Sequence, residues 1–233
     1  MMNVLEIRDY LLKPNRLEHF IDYFEEHFIA SQEAVGMSIL GQFRLIGEPD
    51  RFVWIRGFRD METRFEALQN FYGGPVWAKY GPLANDMMLE WHNVHLLRPA
   101  ANLSLNNGVS AESLAAALAN GTISPHTGNI AIDFYQVASP REKAEINILK
   151  AYHEEDIQIR GLFVAEMSEN TFSRLPVYQV EDAFVVISAY ESEADSEKRS
   201  IVVSQLAQNG IALHPTIPSL LLSPTLRSPL RYA

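Results

Sequence analysis

The sequence contains no cysteine, no long apolar run and no basic cluster. Without cysteine there are no disulfides, thiolate metal sites or cysteine nucleophiles, which is typical of a protein from a reducing compartment. No apolar run approaches the ~18 residues of a membrane-spanning helix, and the N-terminal MMNVLEIRDY has no signal-peptide pattern. A net charge of −10 without a run of Lys or Arg argues against nucleic acid. We therefore expect a cytoplasmic protein that binds neither membrane nor nucleic acid.

The chain also lacks the short motifs of common enzyme classes. No HExxH, Walker loop, GxGxxG or GxSxG occurs, which removes the usual zinc protease, NTPase, nicotinamide and serine hydrolase interpretations. His92 and His95 are three residues apart on a predicted strand, so they face opposite sides and cannot chelate one ion together. We predict no metal site and no cofactor. His92 alone is either a proton shuttle near pH 7 or, more commonly for such a residue, a histidine packed at the rim of the core.

The chain does contain two similar copies of one strand sequence. The segment RFVWIRGFRD, which begins at Arg51, is matched in the second half by AFVVISAYES. Aromatic, valine and isoleucine positions recur, but Trp54 has become Val186 and Arg56 has become Ser188. One copy therefore keeps an arginine beside a tryptophan, and the other copy has lost both.

The element pattern around both strands is also repeated. Alternating helix and strand periodicities predict the order βαββαβ in residues 1–99 and again in residues 129–233, joined by a helical connector over residues 100–128. Such a unit folds as a ferredoxin-like antiparallel sheet with two helices on one face. Because both faces of the strands are apolar, both must be buried. We predict an α+β fold in which the two sheets pack face to face as an eight-stranded intrachain α/β barrel, with the helices outside.

Local signals place the ends of the first-half helices. Asn15, with an acidic residue three positions on, is predicted to cap the first helix, and Asp60 is predicted to cap the next one. The segment Gly73-Gly74-Pro75 is predicted to end that second helix and to start an aromatic loop that contains Trp77 and Tyr80.

Two further alignments extend the repeat. Aligning Tyr10 with Tyr135 puts Asp133 at the position that corresponds to Arg8. Aligning Arg98-Pro99 with Ser228-Pro229 puts Leu220 and Leu222 at the positions that correspond to Glu90 and His92. On this alignment the polar positions of the final strand become apolar in the second half.

The first half resembles the NIPSNAP family of the dimeric α/β-barrel superfamily. The resemblance rests on Phe52-Val53-Trp54-Ile55-Arg56-Gly57-Phe58 and on Phe71-Tyr72-Gly73-Gly74-Pro75-Val76-Trp77, within about residues 3–99. The second half resembles the same domain without these tryptophans and Arg56. The resemblance implies a tandem barrel but little chemistry, because the family's biochemical role is poorly defined. The family's animal members are associated with mitochondria and vesicle-related processes. Other branches of the superfamily include cofactor-free monooxygenases, haem-binding enzymes and muconolactone isomerases.

Eight first-half residues are candidate ligand-binding residues: Arg8, Tyr10, Trp54, Arg56, Tyr72, Trp77, Glu90 and His92. By strand parity Arg8 and Arg56 share one face, which we expect to line a dry, aromatic barrel interior. Buried guanidinium groups need an anion. Either Glu6, Glu90 and Asp133 supply it within a structural ion-pair network, or Arg56 holds a carboxylate or enolate oxygen of a ligand.

The aromatic residues around the broken helix allow two interpretations as well. Tyr72, Trp77, Tyr80 and Trp91 either wall an apolar ligand pocket or only fill the space beneath the helix break. The first interpretation predicts a first-half site for a small apolar or aromatic acid, in a cofactor-independent oxygenase or isomerase. The alternative is a non-enzymatic binding or interaction module that acts as a homo-oligomeric scaffold, with a homodimer as a possible partner state. Haem binding is a weaker third option.

Overall fold

The computed structural model describes residues 2–100, 128–137, 141–191 and 195–231. The predicted connector helix, Ser110–Asn120, lies outside these residues. The described elements of the first half are β1 Val4–Leu12, α1 Leu17–His27, α2 Ile29–Glu33, β2 Ser38–Leu45, β3 Arg51–Phe58, α3 Met61–Tyr72, α4 Pro75–Met87 and β4 Met88–Pro99. Those of the second half are β5 Asn129–Val137, α5 Arg141–Glu154, β6 Gln158–Ala165, β7 Ala183–Tyr190, α6 Ser196–Gln208, β8 Ile211–Leu213 and β9 Leu220–Pro224.

Eight strands form one closed antiparallel ring. The order is β1-β3-β2-β9-β5-β7-β6-β4, and β4 returns to β1, while the short β8 adds to β5. The halves meet at two places, where Leu45 pairs with Leu222 and Leu97 pairs with Ala165. A closed ring leaves none of these eight strands with a free edge for pairing with another chain. The predicted fold, two βαββαβ repeats packed sheet to sheet, is confirmed.

Buried side chains form three layers. The ring interior is a core shared by both halves, in which Val53 and Ile55 pack with Val185 and Ile187. Two further cores lie outside the ring, each between one half's sheet and its helices. Successive residues on a strand alternate between these layers, so Trp54 faces the helices because its neighbours face inward.

A glycine-x-phenylalanine pair marks the second strand of each repeat. A Cβ atom placed on Gly41 would lie 2.4 Å from the ring of Phe43, and one on Gly161 would lie 2.3 Å from the ring of Phe163. In both repeats the ladder register shifts just before the glycine. The bare glycine lets each phenylalanine lie flat along its own strand inside the ring. This second repeat signal was not used in the sequence prediction.

The predicted N-cap is confirmed for α3 and is wrong for α1. Asp60 accepts a hydrogen bond from the backbone N–H of Thr63 at 2.8 Å in a capping box, as predicted. The prediction for Asn15 is wrong, because the N-cap of α1 is Arg16, without a side-chain cap, and Asn15 has φ +61°.

The predicted aromatic loop after α3 is also wrong, because Pro75 begins the helix α4. Proline suits the first turn of a helix, where its missing N–H is not needed. Gly73 and Gly74 make the tight junction between α3 and α4. A Cβ atom on Gly73 would lie 2.8 Å from the carbonyl oxygen of Gln69, and one on Gly74 would lie 2.6 Å from that of Asn70.

The predicted register of the last strand is wrong. Leu97 pairs with Leu5 on the first strand of its repeat, and Leu222 pairs with the corresponding Ile130. Leu222 therefore occupies the place of Leu97 and not that of His92.

The error arose because Ser-Pro occurs twice near the C-terminus. Ser223-Pro224, and not Ser228-Pro229, corresponds to Arg98-Pro99. The Tyr10–Tyr135 alignment is confirmed, because Tyr10 pairs with Phe52 as Tyr135 pairs with Phe184. Among the described residues no helix has the length and apolar character to cross a membrane. The cytoplasmic location and the homodimer stay predictions.

Candidate functional site

Four charged side chains are buried together between the first-half sheet and its helices. Glu6 and Arg8 come from β1, Arg56 from β3 and Arg64 from α3, and none is more than 1% exposed. We call these four residues the arginine cluster. Glu6 lies directly opposite Arg56 in the ladder, and Arg8 follows two residues later on the same face. Arg64 lies in the first turn of α3, whose start is fixed by the capping box.

The Glu6 carboxylate is the centre of the cluster. Its Oε2 accepts from Arg8 Nη1 at 2.7 Å and from Arg56 Nε at 2.8 Å, and its Oε1 accepts from Arg64 Nε at 2.7 Å. Burial alone would raise the pKa of Glu6, but the positive charges of the three arginines lower it well below its usual range. Glu6 is therefore an ionised counter-charge and not a general base.

The remaining bonds of the arginines go to neutral groups. Arg8 Nε donates to the Tyr10 hydroxyl at 2.8 Å. Arg56 Nη1 donates to Gln32 Oε1 at 3.0 Å, and Arg64 Nη1 donates to Asn170 Oδ1 at 3.0 Å. Among the described residues no second carboxylate pairs with the cluster. In the part of the chain that the structure describes, three guanidinium groups and one carboxylate leave two positive charges without a counter-charge.

Three N–H donors in the arginine cluster or beside it have no hydrogen bond among the described residues. Arg64 Nη2 and Trp54 Nε1 are buried without an acceptor among the described residues. Arg56 Nη2 lies 2.7 Å from Glu6 Oε2, but its N–H is not aligned for a hydrogen bond. A buried donor without an acceptor costs ~1–3 kcal/mol, more when charged, so this site favours an added acceptor.

A small cavity adjoins the cluster. Its volume is about 30 Å³, and its walls include Tyr10, Gln32, Trp54, Phe71, Tyr72 and Trp77. That volume holds roughly two or three water molecules at about 10–15 Å³ each. Arg8 and Arg56 lie behind Trp54, with guanidinium carbons 5.6 Å and 5.1 Å from its ring centroid. The unbonded indole N–H thus belongs to a cavity wall backed by two cations.

The outer wall consists of side chains that reach the surface. The rings of Tyr72 and Trp77 meet edge to face at 4.7 Å, on the two sides of the α3–α4 junction. The indole of Trp77 lies on Gly81, where a Cβ atom would come within 2.7 Å of the ring. Phe172, from the second half, stacks on Tyr72 at 5.9 Å. Both halves of the chain therefore close this site.

The second half has a different polar group at the corresponding place. Asp133 stands at the position of Arg8, and it is held by a bidentate ion pair with Arg199 and a 3.1 Å hydrogen bond from the Tyr152 hydroxyl. The Tyr152 hydroxyl is also 3.0 Å from that of Tyr135. One carboxylate and one guanidinium balance here. The prediction that Asp133 would pair with the first-half arginines is wrong, because it lies in the other helix-facing layer.

The predicted site residues divide into two groups. Tyr10, Trp54, Tyr72 and Trp77 line the cavity, and Arg8 and Arg56 contact Trp54. Glu90 and His92 are exposed and lie apart from it, and His92 stacks on Trp91 at the surface.

The predicted barrel-side location of the arginines is wrong. They face the helices, because Val53 and Ile55 occupy the inward positions of the same strand. Of the predicted counter-charges, Glu6 alone pairs with them. Arg64 was missed, although it precedes Leu68 by four residues and so falls on the buried stripe of α3.

Within the described ranges, no group of three or more His, Cys, Asp or Glu side chains is placed to hold a metal ion.

The NIPSNAP family model matches residues 5–102. No curated protein matches the chain. A NIPSNAP family protein of unknown function from Agrobacterium tumefaciens is 24% identical over 43% of this chain and 90% of its own, with a TM-score of 0.40. An uncharacterised NIPSNAP-like domain protein from Burkholderia xenovorans is 25% identical over 43% of this chain and 87% of its own, with a TM-score of 0.39.

Several solved structures resemble the whole fold, each over 96% of this chain. A candidate monooxygenase from Fusobacterium nucleatum matches 96% of this chain and 92% of its own at 12% identity, with a TM-score of 0.55. At that identity the likeness shows the tandem ferredoxin-like fold alone. The helix-facing site described above lies in the part of the chain that the family model matches. Residues 5–102 therefore match the NIPSNAP family model, and the same polypeptide continues into a second ferredoxin-like repeat.

Proposed function

We propose that the first half binds a small aromatic or apolar carboxylic acid between its sheet and its helices. The observation that carries the proposal is the unbalanced charge of the arginine cluster, where one carboxylate serves three buried guanidinium groups. The described residues of the second half, with the same fold and one arginine for the buried Asp133 carboxylate, show no such excess. A ligand carboxylate beside Trp54 would supply the missing negative charge.

The cavity walls suit the remainder of such a ligand. They are mostly aromatic rings, which favour a flat apolar group, and the indole N–H of Trp54 offers a donor at the charged end. A benzene ring is larger than the present 30 Å³, so Trp77 has to move off Gly81 to admit it. Trp77 and Tyr72 are only half-buried, and their movement leaves the sheet and the arginine cluster in place.

The described lining offers no general base for proton abstraction. Burial raises the pKa of Tyr10, and Glu6 is held ionised among its arginines. The site is therefore built first to bind and orient an acid. Oxygenation of that acid is the finer form of the proposal, after the word monooxygenase in the name of the Fusobacterium neighbour. Without a cofactor the acid itself must supply the electrons, as when O2 converts a CH2 group to a carbonyl and the second oxygen atom leaves as water.

The test compares benzoate with benzamide, its uncharged relative of nearly the same size. In calorimetric titrations of the full chain at pH 7, we expect benzoate to bind and benzamide to bind at least tenfold more weakly. Arg64→Met and Trp54→Phe should each weaken benzoate binding roughly tenfold, the value of one hydrogen bond to a charged group. Glu90→Gln and His92→Ala change exposed residues away from the cavity and serve as matched controls. Equal affinity for both compounds, or full affinity in Arg64→Met, would contradict the proposal.

Turnover is tested separately from binding. An oxygen electrode with saturating bound acid distinguishes an oxygenase from a binding module. Oxygen uptake that Trp54→Phe abolishes supports the finer proposal. Binding without uptake or isomerised product leaves the non-enzymatic alternative.

A further inference from the structure

A second and larger cavity lies at one end of the ring interior. Its volume is about 460 Å³, within the usual range of ~300–1,000 Å³ for small-molecule sites. Its walls come from β4 of the first half and from two second-half segments, and they include Asn93, His95, Tyr178, His214, Thr216 and Ile217. None of these residues belongs to the helix-facing site.

The cavity exists because the last strand of the second repeat is broken. β4 runs without interruption through its repeat, whereas its counterpart is divided into β8 and β9. The chain between them, residues 214–219, contains Pro215 and Pro218, which have no N–H for a ladder. This segment leaves the sheet and opens space against β4.

His95 faces that space from the first half. It pairs with Ile7, so it points into the ring interior, where its ring packs at 4.6 Å from that of Phe134. It is only 7% exposed, and within the described part of the chain its ring has no hydrogen bond. A buried imidazole without a partner at a cavity wall is an unused donor and acceptor.

His214 offers a donor of fixed direction. Its Nδ1 accepts from the backbone N–H groups of Thr216 at 3.3 Å and Ile217 at 3.2 Å. The neutral ring therefore carries its proton on Nε2. A metal-binding histidine has the opposite arrangement, with the second nitrogen donating, so His214 is not disposed to bind a metal through Nε2.

The charge of the wall decides the kind of ligand. Among the described residues no Lys, Arg, Asp or Glu side chain lines the cavity. A charged pair, Asp9 with Arg51, is joined to the wall through Asn93, whose Nδ2 donates to Asp9 Oδ2 at 3.0 Å. The described walls thus combine imidazole, amide and hydroxyl groups with aliphatic side chains, and they present no Lys or Arg that would neutralise an anion.

We propose that this cavity is a second ligand site, which takes an uncharged aromatic compound bearing a hydroxyl group. A phenolic O–H can donate to the free imidazole of His95 and accept from Nε2 of His214, while its ring packs on Ile217. The first-half acid site and this phenol site would then select two ligand classes by charge alone.

The test uses two compounds with the same ring system, 2-naphthol and 2-naphthoate, titrated into the full chain at pH 7. Imidazole C–H signals in ¹³C-histidine-labelled protein report the site, since the chain has seven histidines. We expect 2-naphthol to shift the signals of His95 and His214, and 2-naphthoate to leave them in place. His95→Phe should weaken 2-naphthol binding at least ~10-fold, the value of one well-made hydrogen bond to a buried group. His92→Phe, an exposed histidine of the same strand, should leave binding unchanged.

A second variant and a metal titration keep the test decisive. Ile217→Trp fills the cavity and leaves both histidines in the sequence, so it should abolish 2-naphthol binding even if His95→Phe fails to fold. Absence of 2-naphthol binding, unchanged affinity in Ile217→Trp, or equal shifts with 2-naphthoate would overturn the proposal. Saturable Zn²⁺ binding that shifts both histidines would overturn it in favour of a metal site. Benzoate binding at the arginine cluster is measured independently, so either site can fail without the other.

Discussion

Replacing Glu6 by glutamine should be among the most damaging single changes in this protein. The carboxylate contacts all three buried arginines at 2.7–2.8 Å between hydrogen-bonded atoms. A unit-charge pair ~4 Å apart is worth about 4 kcal/mol at an effective dielectric of about 20. The cluster contains three Glu–Arg attractions and three Arg–Arg repulsions. Glu6→Gln removes every attraction and keeps every repulsion.

Arg64→Met changes the balance differently. It removes one attraction and two of the three repulsions, which offset each other in part. We therefore expect a loss of more than about 5 kcal/mol for Glu6→Gln and only about 1–2 kcal/mol for Arg64→Met. The first value is comparable with the whole stability of ~5–15 kcal/mol of a typical domain. The double variant should be more stable than Glu6→Gln alone.

Guanidinium chloride unfolding, followed by circular dichroism, measures this order. The midpoint should fall steeply for Glu6→Gln, slightly for Arg64→Met and to an intermediate value for the double variant. If Arg64→Met costs as much as Glu6→Gln, the cluster does not carry excess positive charge. The basis of the proposed acid site would then be lost.

Three further outcomes follow from the packing and from one buried histidine. Gly41→Ala should lower stability by about 1–3 kcal/mol in thermal unfolding, because the new Cβ meets the ring of Phe43, and an unchanged melting temperature would contradict that contact. Burial, with a smaller contribution from His214, lowers the pKa of His95 to about 4, below its unfolded value of ~6.5. The contribution of His95 to the free energy of unfolding is therefore complete above pH ~6.5. About 3 kcal/mol of it is lost as the pH falls from ~6.5 to ~4. A His95→Gln variant whose stability has the same pH profile as the parent would refute this assignment. Phe172→Ala should cost ~3 kcal/mol and also weaken benzoate binding, because this second-half ring packs on Tyr72, and calorimetry of both quantities checks it.

The fold was predictable because its signals are periodic and repeated. Two copies of one strand, two βαββαβ orders and apolar side chains on both faces left few architectures, and the closed ring is the one observed. The prediction that Trp54 and Arg56 face the interior of the ring was wrong. Parity along a strand shows which residues share a face, but it does not show which of two apolar faces meets the helices. Trp54 and Arg56 were grouped correctly and placed in the wrong layer for this reason.

The site was only partly readable for a related physical reason. Tyr10, Trp54 and Trp77 were recognisable as large side chains at buried positions. Arg64 and Asn170 come to the cluster from a helix and from a distant second-half loop, so their proximity depends on the complete tertiary structure. The histidine-lined cavity depends on a strand break at two prolines, Pro215 and Pro218, in a stretch to which no predicted element was assigned.

Closure of the ring within one polypeptide has a consequence for how such a protein behaves at low concentration. Phe172 packs on the wall residue Tyr72 and Asn170 bonds to Arg64, and both come from the same chain that carries the arginines. Ligand affinity at this site should therefore be independent of protein concentration, because dilution separates subunits but not covalently joined repeats. The same covalent joining frees the second repeat from being identical to the first, so that an aspartate now stands where its twin keeps a guanidinium.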